Sequence, residues 1–196
     1  VACAGAEIAN HAEIISVPEN LVVKVPNEVA FSEASFTTVA SIAMHGVRQS
    51  GLRLSENCVV IGLGLIGQLT VQILKASGIN VIGIDIDKDS LELAKKSGAD
   101  LVFERFNGQE EQSIMNGTGG YGTDAVIITA GTNSLDPIEL AGKLCRRRGK
   151  VIIVGDVPTG FSRDNYYKKE LELRMSTSYG PGRYDPKYEE KGLDYP

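Results

Sequence analysis

The sequence predicts an α/β fold, a doubly wound six-stranded parallel sheet with helices on both faces. Three observations predict it. Short apolar segments alternate with amphipathic segments from about residue 58 onwards. The apolar runs VVI (59–61) and VIIV (151–154) are continuous, as in strands that are buried on both faces. Glycines such as Gly78 and Gly98 follow the amphipathic segments, where helices end.

The predicted elements follow one another in a regular order. Strand-like apolar segments are found at 58–62, 80–85, 100–104, 124–131, 150–155 and 171–178. Helices are predicted at 65–78, where apolar residues fall near helical spacing, and at 88–98, 109–116 and 134–149, of which 109–116 has the weakest pattern. Asp87 is placed to cap the second helix, and Pro137 lies in the first turn of the fourth, where its missing N–H costs nothing. The cluster CRRRGK (145–150) is interpreted as the basic end of that fourth helix.

Composition and charge exclude several classes of protein. The 196 residues carry a net charge of −5 without a sustained basic stripe, which argues against nucleic acid as a partner. No apolar run approaches the roughly 20 residues that span a bilayer, so no membrane partner is expected. Cys3, Cys58 and Cys145 are widely spaced and form no C-x-x-C pair, which argues against a disulfide framework or a zinc finger. A reducing, cytoplasmic setting is therefore expected.

The stretch VVIGLGLIGQ (59–68) places three glycines between a predicted strand and a predicted helix. In that context G-x-G-x-x-G is the dinucleotide-binding fingerprint of a Rossmann domain, whereas alone it is weak evidence. Gly62 makes the tight turn, Gly64 lets a pyrophosphate approach the backbone, and Gly67 lets helix and strand pack closely. The start of the helix stabilises an anion. The candidate cofactor-binding residues of this loop are Gly62, Leu63, Gly64, Leu65, Ile66 and Gly67.

Asp85 ends the second predicted strand, about 20 residues beyond the loop, where an acid accepts hydrogen bonds from the adenosine ribose. With Ile86 it completes this part of the candidate site. The alternative for Asp85 is a helix cap, but Asp87 is better placed for that task. Because Asp85 and Asp87 would repel a 2′-phosphate, NAD is favoured over NADP. The segment GTGGYGT (117–123) precedes a strand and is predicted to be a flexible connection.

Several runs resemble one family in the right order along nearly the whole chain. They are AEIISVPENLVVKVPNEVAFSEAS (12–35), the glycine stretch with its acid through residue 100, and RRRGKVIIVG (146–155). They resemble the medium-chain dehydrogenase/reductase superfamily of zinc alcohol dehydrogenases and quinone reductases. The resemblance implies NAD(P)-dependent hydride transfer to or from a small alcohol, carbonyl or sugar-type substrate. No catalytic residue is assigned.

The resemblance also divides the chain. Residues 1–50 are expected to be the end of a catalytic domain with a connecting helix, 51–178 a Rossmann domain, and 179–196 a return segment. Because the chain opens without methionine, it is expected to be a piece of a longer protein, inactive by itself. The tail 178–196 resembles bacterial two-domain oxidoreductases with a sugar-dehydrogenase-like second half.

Further cofactor contacts are implied by the resemblance at the ends of the later strands, with simple packing as the alternative for each. These residues are Thr129, Ala130, Gly131, Val154, Gly155, Thr177 and Tyr179. The family often joins the sixth strands of two sheets edge to edge. A homodimer through 171–178 is therefore expected.

One departure from the family concerns zinc. In zinc-dependent members a cysteine ligand lies early in the segment that matches 36–47, and here Thr38 stands in its place. A hydroxyl is a poor substitute for a zinc-bound thiolate, so no metal ligand is predicted and hydride transfer without zinc is expected. A contact of Thr38 with nicotinamide or substrate is the alternative. The isolated His11 and His45 are interpreted as structural.

Two other function classes compete with an oxidoreductase. A non-catalytic NAD-sensing domain uses the same strand, glycine loop and helix, but it lacks a leading segment like 12–35. A methyltransferase shares the glycine loop and the acid, yet its sheet normally has an antiparallel strand near the end. The oxidoreductase is favoured because it accounts for all the matched runs.

Overall fold

The computed structural model describes residues 1–6 and 8–194, and its first strands form a small antiparallel pair. β1 (Ala2–Cys3) pairs with β2 (Val22–Val23). Two helices follow, α1 (Phe31–Ala34) and α2 (Thr37–Ser50). The connecting helix expected within residues 1–50 corresponds to α2. The return segment predicted at 179–196 is described as far as residue 194.

A six-stranded sheet of parallel strands forms the centre of the structure, as the sequence predicts. Its strands are β3 (Asn57–Ile61), β4 (Asn80–Asp85), β5 (Leu101–Glu104), β6 (Thr123–Ile128), β7 (Cys145–Ile153) and β8 (Glu172–Met175). They lie in the order β5-β4-β3-β6-β7-β8. The chain moves from β3 toward β5 and then returns to the other side of β3, so the order reverses between β3 and β6. Ligands bind at the carboxyl ends of the strands beside such a reversal.

Helices cover both faces of this sheet. They are α3 (Leu65–Ala76), α4 (Lys88–Lys96), α5 (Glu110–Gly117), α6 (Asp136–Leu144) and α7 (Arg163–Lys169), with a short α8 (Pro186–Glu189) in the tail. Asp87 caps α4 as predicted, since its Oδ2 accepts a bond of 3.0 Å from the Ser90 amide. The sequence did not predict α7. None of the described helices is both long and apolar enough to span a bilayer.

Alternate residues of β3 enter two separate hydrophobic clusters. Val59 and Ile61 belong to the cluster that contains α6 residues, and Cys58 and Val60 belong to the cluster that contains α3 residues. All four side chains are at most 5% exposed. The continuous apolar run in the sequence therefore marks a strand covered on both faces, as expected.

The helix predicted over 134–149 is wrong in its last turn. α6 ends at Leu144, and the next residue begins β7. Arg148 has φ of +58°, which a helix interior does not accommodate. Arg146 pairs instead with Asp124 on β6, with 2.6 Å between Nε and Oδ1. Pairing between neighbouring strands thus overrides the local helical pattern of the basic cluster.

Candidate functional site

The glycine loop connects β3 to α3, and two of its glycines are required by close packing. Gly62 has φ of +92°, and a Cβ there would lie 2.5 Å from the Ala130 amide nitrogen. A Cβ on Gly67 would lie 2.1 Å from the Gly62 carbonyl oxygen. A Cβ on Gly64, by contrast, would meet nothing within 4 Å. Gly64 therefore leaves the backbone open to an approaching group rather than filling a tight contact.

The start of α3 offers backbone N–H groups beside this opening. Gly64 is the N-cap residue, and no side chain caps the helix there. The first helical hydrogen bond runs from the Gln68 amide to the Gly64 oxygen at 2.9 Å. The N–H groups of Leu65, Ile66 and Gly67 precede it, as the first amides of every helix do. With the positive end of the helix dipole, they form a place where an anion is stabilised.

Asp85 ends β4 and organises the loop through its carboxylate. Its Oδ2 accepts a hydrogen bond from the Leu63 amide, and its Oδ1 accepts bonds from Ile86 at 2.7 Å and Asp87 at 2.9 Å. A carboxylate has about four lone-pair positions. Residues that the structure describes occupy three of them, which leaves about one position on Oδ2 for a ligand. Asp85 thus supports the glycine loop besides offering an acceptor.

Gln68 fastens the same loop from the opposite side, a role that sequence reasoning missed. Its Nε2 donates to the Leu63 oxygen and to the Ser90 oxygen, both at 2.8 Å. The loop residue Leu63 is therefore held at its N–H by Asp85 and at its carbonyl by Gln68. The sequence contained a clue to this role, because a polar amide residue follows the last glycine of the motif directly. In the structure that residue is buried, so its polar atoms need partners inside the protein.

The segment after β6 closes the cleft from the other side of the strand reversal. The predicted strand 124–131 ends at Ile128, and the next residues form a loop against Gly62. The Thr129 hydroxyl donates to the Gly62 oxygen, and the Ala130 amide donates to the Ile61 oxygen at 3.1 Å. The resulting cleft has a volume of about 330 Å³. Of the predicted site residues, its lining contains Gly62, Gly64, Asp85, Ile86, Thr129, Ala130 and Gly131.

A charged group that the sequence analysis missed also borders this cleft. Arg105 binds Asp136 in a bidentate manner, with Nε 2.9 Å from Oδ2 and Nη2 2.6 Å from Oδ1. Its Nη1 also donates to Glu110. We call Arg105, Glu110 and Asp136 the Arg105 triad. Arg105 follows β5, Glu110 begins α5 and Asp136 begins α6, so no local sequence pattern predicts that the three residues meet.

Sequence comparison identifies the family of this fold. The model of a family described as "Zinc-binding dehydrogenase" matches residues 66–191, more than half of the chain. The chain belongs to this family. It is the zinc-type alcohol dehydrogenase group of the medium-chain dehydrogenase/reductase superfamily, as the sequence resemblance implied.

Individual relatives of the family agree with the assignment. An alcohol dehydrogenase of Geobacillus stearothermophilus is 33% identical over 149 residues, which cover 76% of this chain and 43% of that protein. D-xylulose reductase A of Aspergillus oryzae is 31% identical over 180 residues, which cover 86% of this chain and 48% of that protein. The chain thus spans about half the length of the curated relatives it matches, or slightly less.

Solved structures of the family share the fold. A protein from Sinorhizobium meliloti bound to NADP superposes with a TM-score of 0.73 at 25% identity, covering 81% of this chain and 48% of that one. An alcohol dehydrogenase from Escherichia coli complexed with NADH gives a TM-score of 0.73 at 26% identity, covering 83% of this chain and 48% of that one. These two similar structures therefore contain NADP and NADH, respectively.

Val154 and Gly155, two of the cofactor contacts that the resemblance implied, lie directly after the end of β7. Their amides both donate to the Ile128 oxygen at 2.9 Å, and a Cβ on Gly155 would lie 2.1 Å from the Ala130 oxygen. They adjoin the loop after β6 without entering the lining of the cleft. Leu63, Leu65, Ile66 and Gly67 also lie outside that lining.

Thr177 and Tyr179 follow β8, at the carboxyl edge of the sheet. The Thr177 oxygen accepts a bond of 3.1 Å from the Gly180 amide. The Tyr179 hydroxyl donates to Glu189, and burial together with this bond raises the pKa of Tyr179 to about 12. Neither residue lines the cleft beside Asp85. The side chain of Tyr179 therefore binds the tail through Glu189, and a cofactor contact at this position would have to come from the backbone.

Thr38, where the resemblance implied a cysteine ligand in zinc-dependent members, makes a side-chain hydrogen bond to the backbone. The Thr38 hydroxyl donates to the Cys3 carbonyl at 3.0 Å. His45 is buried, and burial followed by the nearby Arg48 lowers its pKa, as suits a neutral structural histidine. Within 1–6 and 8–194, no three His, Cys, Asp or Glu side chains are grouped to hold a metal ion.

Proposed function

We propose that this chain binds NAD(H) for a dehydrogenase that acts on a small alcohol, carbonyl or sugar-type substrate. One observation carries the proposal: the uncapped start of α3, open at Gly64, and the carboxylate of Asp85 border the same cleft. The amides at the start of α3 would hold the pyrophosphate, and the free position on Asp85 Oδ2 would accept a hydrogen bond from the adenosine ribose.

When bound, the nicotinamide ring accepts or donates the hydride, and the residues of this chain hold the cofactor in position. We place the adenosine between Asp85 and Ile86 on one side and Thr129, Ala130 and Gly131 on the other. The ring would extend past the end of β7 toward β8. Val154, Gly155, Thr177 and Tyr179 are the candidates for contact there.

NAD is the proposed cofactor rather than NADP. Asp85 and Asp87 lie two residues apart at the end of β4, and both would repel the 2′-phosphate of NADP. The Asp87 Oδ2 accepts hydrogen bonds from the Ser90 hydroxyl at 2.6 Å and from the Ser90 amide, and these bonds lower the pKa of Asp87. It is therefore charged at neutral pH.

Isothermal titration of the protein with NADH and NADPH tests this proposal. We expect NADH to bind more tightly, because only NADPH brings a phosphate against Asp85. Binding of neither cofactor would refute the proposed function, and tighter binding of NADPH would refute the role of Asp85. The alternative, a non-catalytic NAD-sensing domain, predicts binding without turnover of alcohols or polyols by the full-length protein.

We further propose that hydride transfer proceeds without a catalytic zinc, because Thr38 offers a hydroxyl that is already bonded to a backbone carbonyl. In that case, substrate and nicotinamide react because they are held in contact geometry. Stoichiometric zinc in elemental analysis of the full-length protein, lost together with activity on chelation, would refute this.

The edge strand β8 is the proposed dimer contact. Its one partner among the described strands is β7, and Met175 at its end is 57% exposed. An uncovered strand edge can pair with a second copy, as the family resemblance implies. A monomer in light scattering would refute the dimer.

We place the protein in the cytoplasm, with a small molecule as its substrate.

A further inference from the structure

The Arg105 triad lies directly beside the proposed ribose acceptor. Arg105 follows the last residue of β5, and its amide donates to the Asp85 carbonyl at 2.8 Å. Among the described residues that line the cleft, Arg105 is the only cation, whereas Asp85 and Asp136 are anions. An arginine at this place is chemically suited to a phosphate, since its planar fork of N–H donors binds phosphate oxygens in a bidentate manner.

The structure keeps this arginine engaged elsewhere. Asp136 binds two of its nitrogens and Glu110 the third, while its guanidinium carbon lies 4.6 Å from the centroid of the Phe106 ring. The Arg105 side chain is only 13% exposed. Its remaining N–H groups therefore have little access to a ligand.

Glu110 makes the release of Arg105 costly. The residue is 1% exposed, and its Oε2 has no hydrogen-bond partner among the described residues. Burial opposes its charge, but backbone hydrogen bonds and Arg105 lower its pKa below the usual value. Moving Arg105 toward a ligand would leave a buried carboxylate without its cation, which is strongly unfavourable.

We propose that Asp136 and Glu110 determine cofactor specificity, because they withhold Arg105 from a 2′-phosphate on the adenosine ribose. This inference rests on the proposed function, which places the adenosine in this cleft. It adds a second determinant to Asp85: the repelling acid discourages NADP, and the triad removes the cation that would compensate. Lys88, on α4, lies outside the lining of the cleft and faces Glu104 at 3.6 Å.

The substitution Asp136→Asn tests the proposal, since it keeps the shape of the side chain and removes the charge of the bidentate partner. We expect the ratio of the Kd for NADPH to the Kd for NADH to fall by roughly tenfold, the lower end for one charge-assisted hydrogen bond. The pair 2′-phospho-ADP-ribose and ADP-ribose should show the same change, because the triad acts on the adenosine end. The gain in affinity of Asp136→Asn for 2′-phospho-ADP-ribose should become smaller at high salt, because salt screens the attraction between Arg105 and the phosphate.

Asp124→Asn is the matched control. Asp124 also pairs with an arginine, with 2.6 Å between its Oδ1 and Arg146 Nε, but it lies near the start of β6, at the end of the strand away from the cleft. Asp124→Asn removes the same charge and weakens an arginine–carboxylate pair, although the other Asp124 oxygen accepts a bond of 2.8 Å from the Asn57 amide. Because this pair lies away from the cleft, the ratio of the Kd for NADPH to the Kd for NADH should stay at the wild-type value. Thermal melts of both variants should show cooperative unfolding, as expected of folded proteins.

The outcomes separate this inference from the proposed function. An unchanged ratio in Asp136→Asn, with NADH still bound more tightly, refutes the role of the triad and leaves the cofactor cleft intact. An equal fall in the ratio for both variants also refutes it, because the effect would then come from net charge or stability. Failure of the wild-type protein to bind either cofactor refutes both proposals.

Discussion

Replacing Asp85 with alanine perturbs the group on which the cofactor site depends most. Three of about four lone-pair positions on its carboxylate accept bonds from Leu63, Ile86 and Asp87. One position remains for the ribose, so one charge-assisted hydrogen bond of about 1.5–3 kcal/mol is lost. This corresponds to a rise of about 10- to 150-fold in the Kd for NADH.

The assay is isothermal titration of the wild-type protein and the variant with NADH and NADPH. The Kd for NADPH should rise less than the Kd for NADH, because the substitution also removes repulsion of the 2′-phosphate. The preference between the cofactors should therefore narrow as overall affinity falls.

Asp87→Ala provides the control, since it removes a carboxylate two residues away. Asp87 caps α4 by accepting a bond of 3.0 Å from the Ser90 amide, so its loss should destabilise the start of that helix. It should leave the Kd for NADH within a few fold of wild type. The reasoning is refuted if Asp85→Ala binds NADH as tightly as wild type, or if both variants lose affinity equally.

Three further predictions concern stability and reactivity. Lys169→Met should lower the free energy of unfolding by about 1.5–3 kcal/mol, because Nζ donates to the carbonyls of Gly142, Lys143 and Cys145 at 2.7–2.9 Å, and a urea titration matching wild type would contradict this. The pKa of Glu110 is lowered in the folded state, so its stabilising contribution is complete above its usual pKa of 4.5 and is lost as pH falls through the folded value. The difference in unfolding free energy between wild type and Glu110→Gln should therefore shrink in acid. A difference that stays constant with pH would contradict this prediction. Burial raises the pKa of Cys145 to about 12 and also raises that of Cys58, so a thiol reagent at pH 8 should modify only Cys3 before unfolding and all three thiols afterwards.

Local patterns accounted for much of the fold because they report local physics. Continuous apolar runs marked the strands that are covered on both faces, and the glycine spacing marked a turn that only small residues permit at Gly62 and Gly67. The Asp87 cap was predictable for the same reason, since its partner Ser90 is three residues away. Where strand pairing competes with helical periodicity, as at 145–149, the local pattern gave the wrong element.

The sequence by itself determined the strand–helix alternation, the glycine loop and the acid that follows the next strand, because each depends on residues close together in the chain. The tertiary structure alone decided what these groups contact. In the folded chain, the Asp85 carboxylate accepts a hydrogen bond from the amide of Leu63 in the glycine loop, 22 residues away in sequence. Asp136 binds Arg105, which is 31 residues away. Such contacts depend on how strands are ordered and how helices pack, which no periodicity in the sequence encodes.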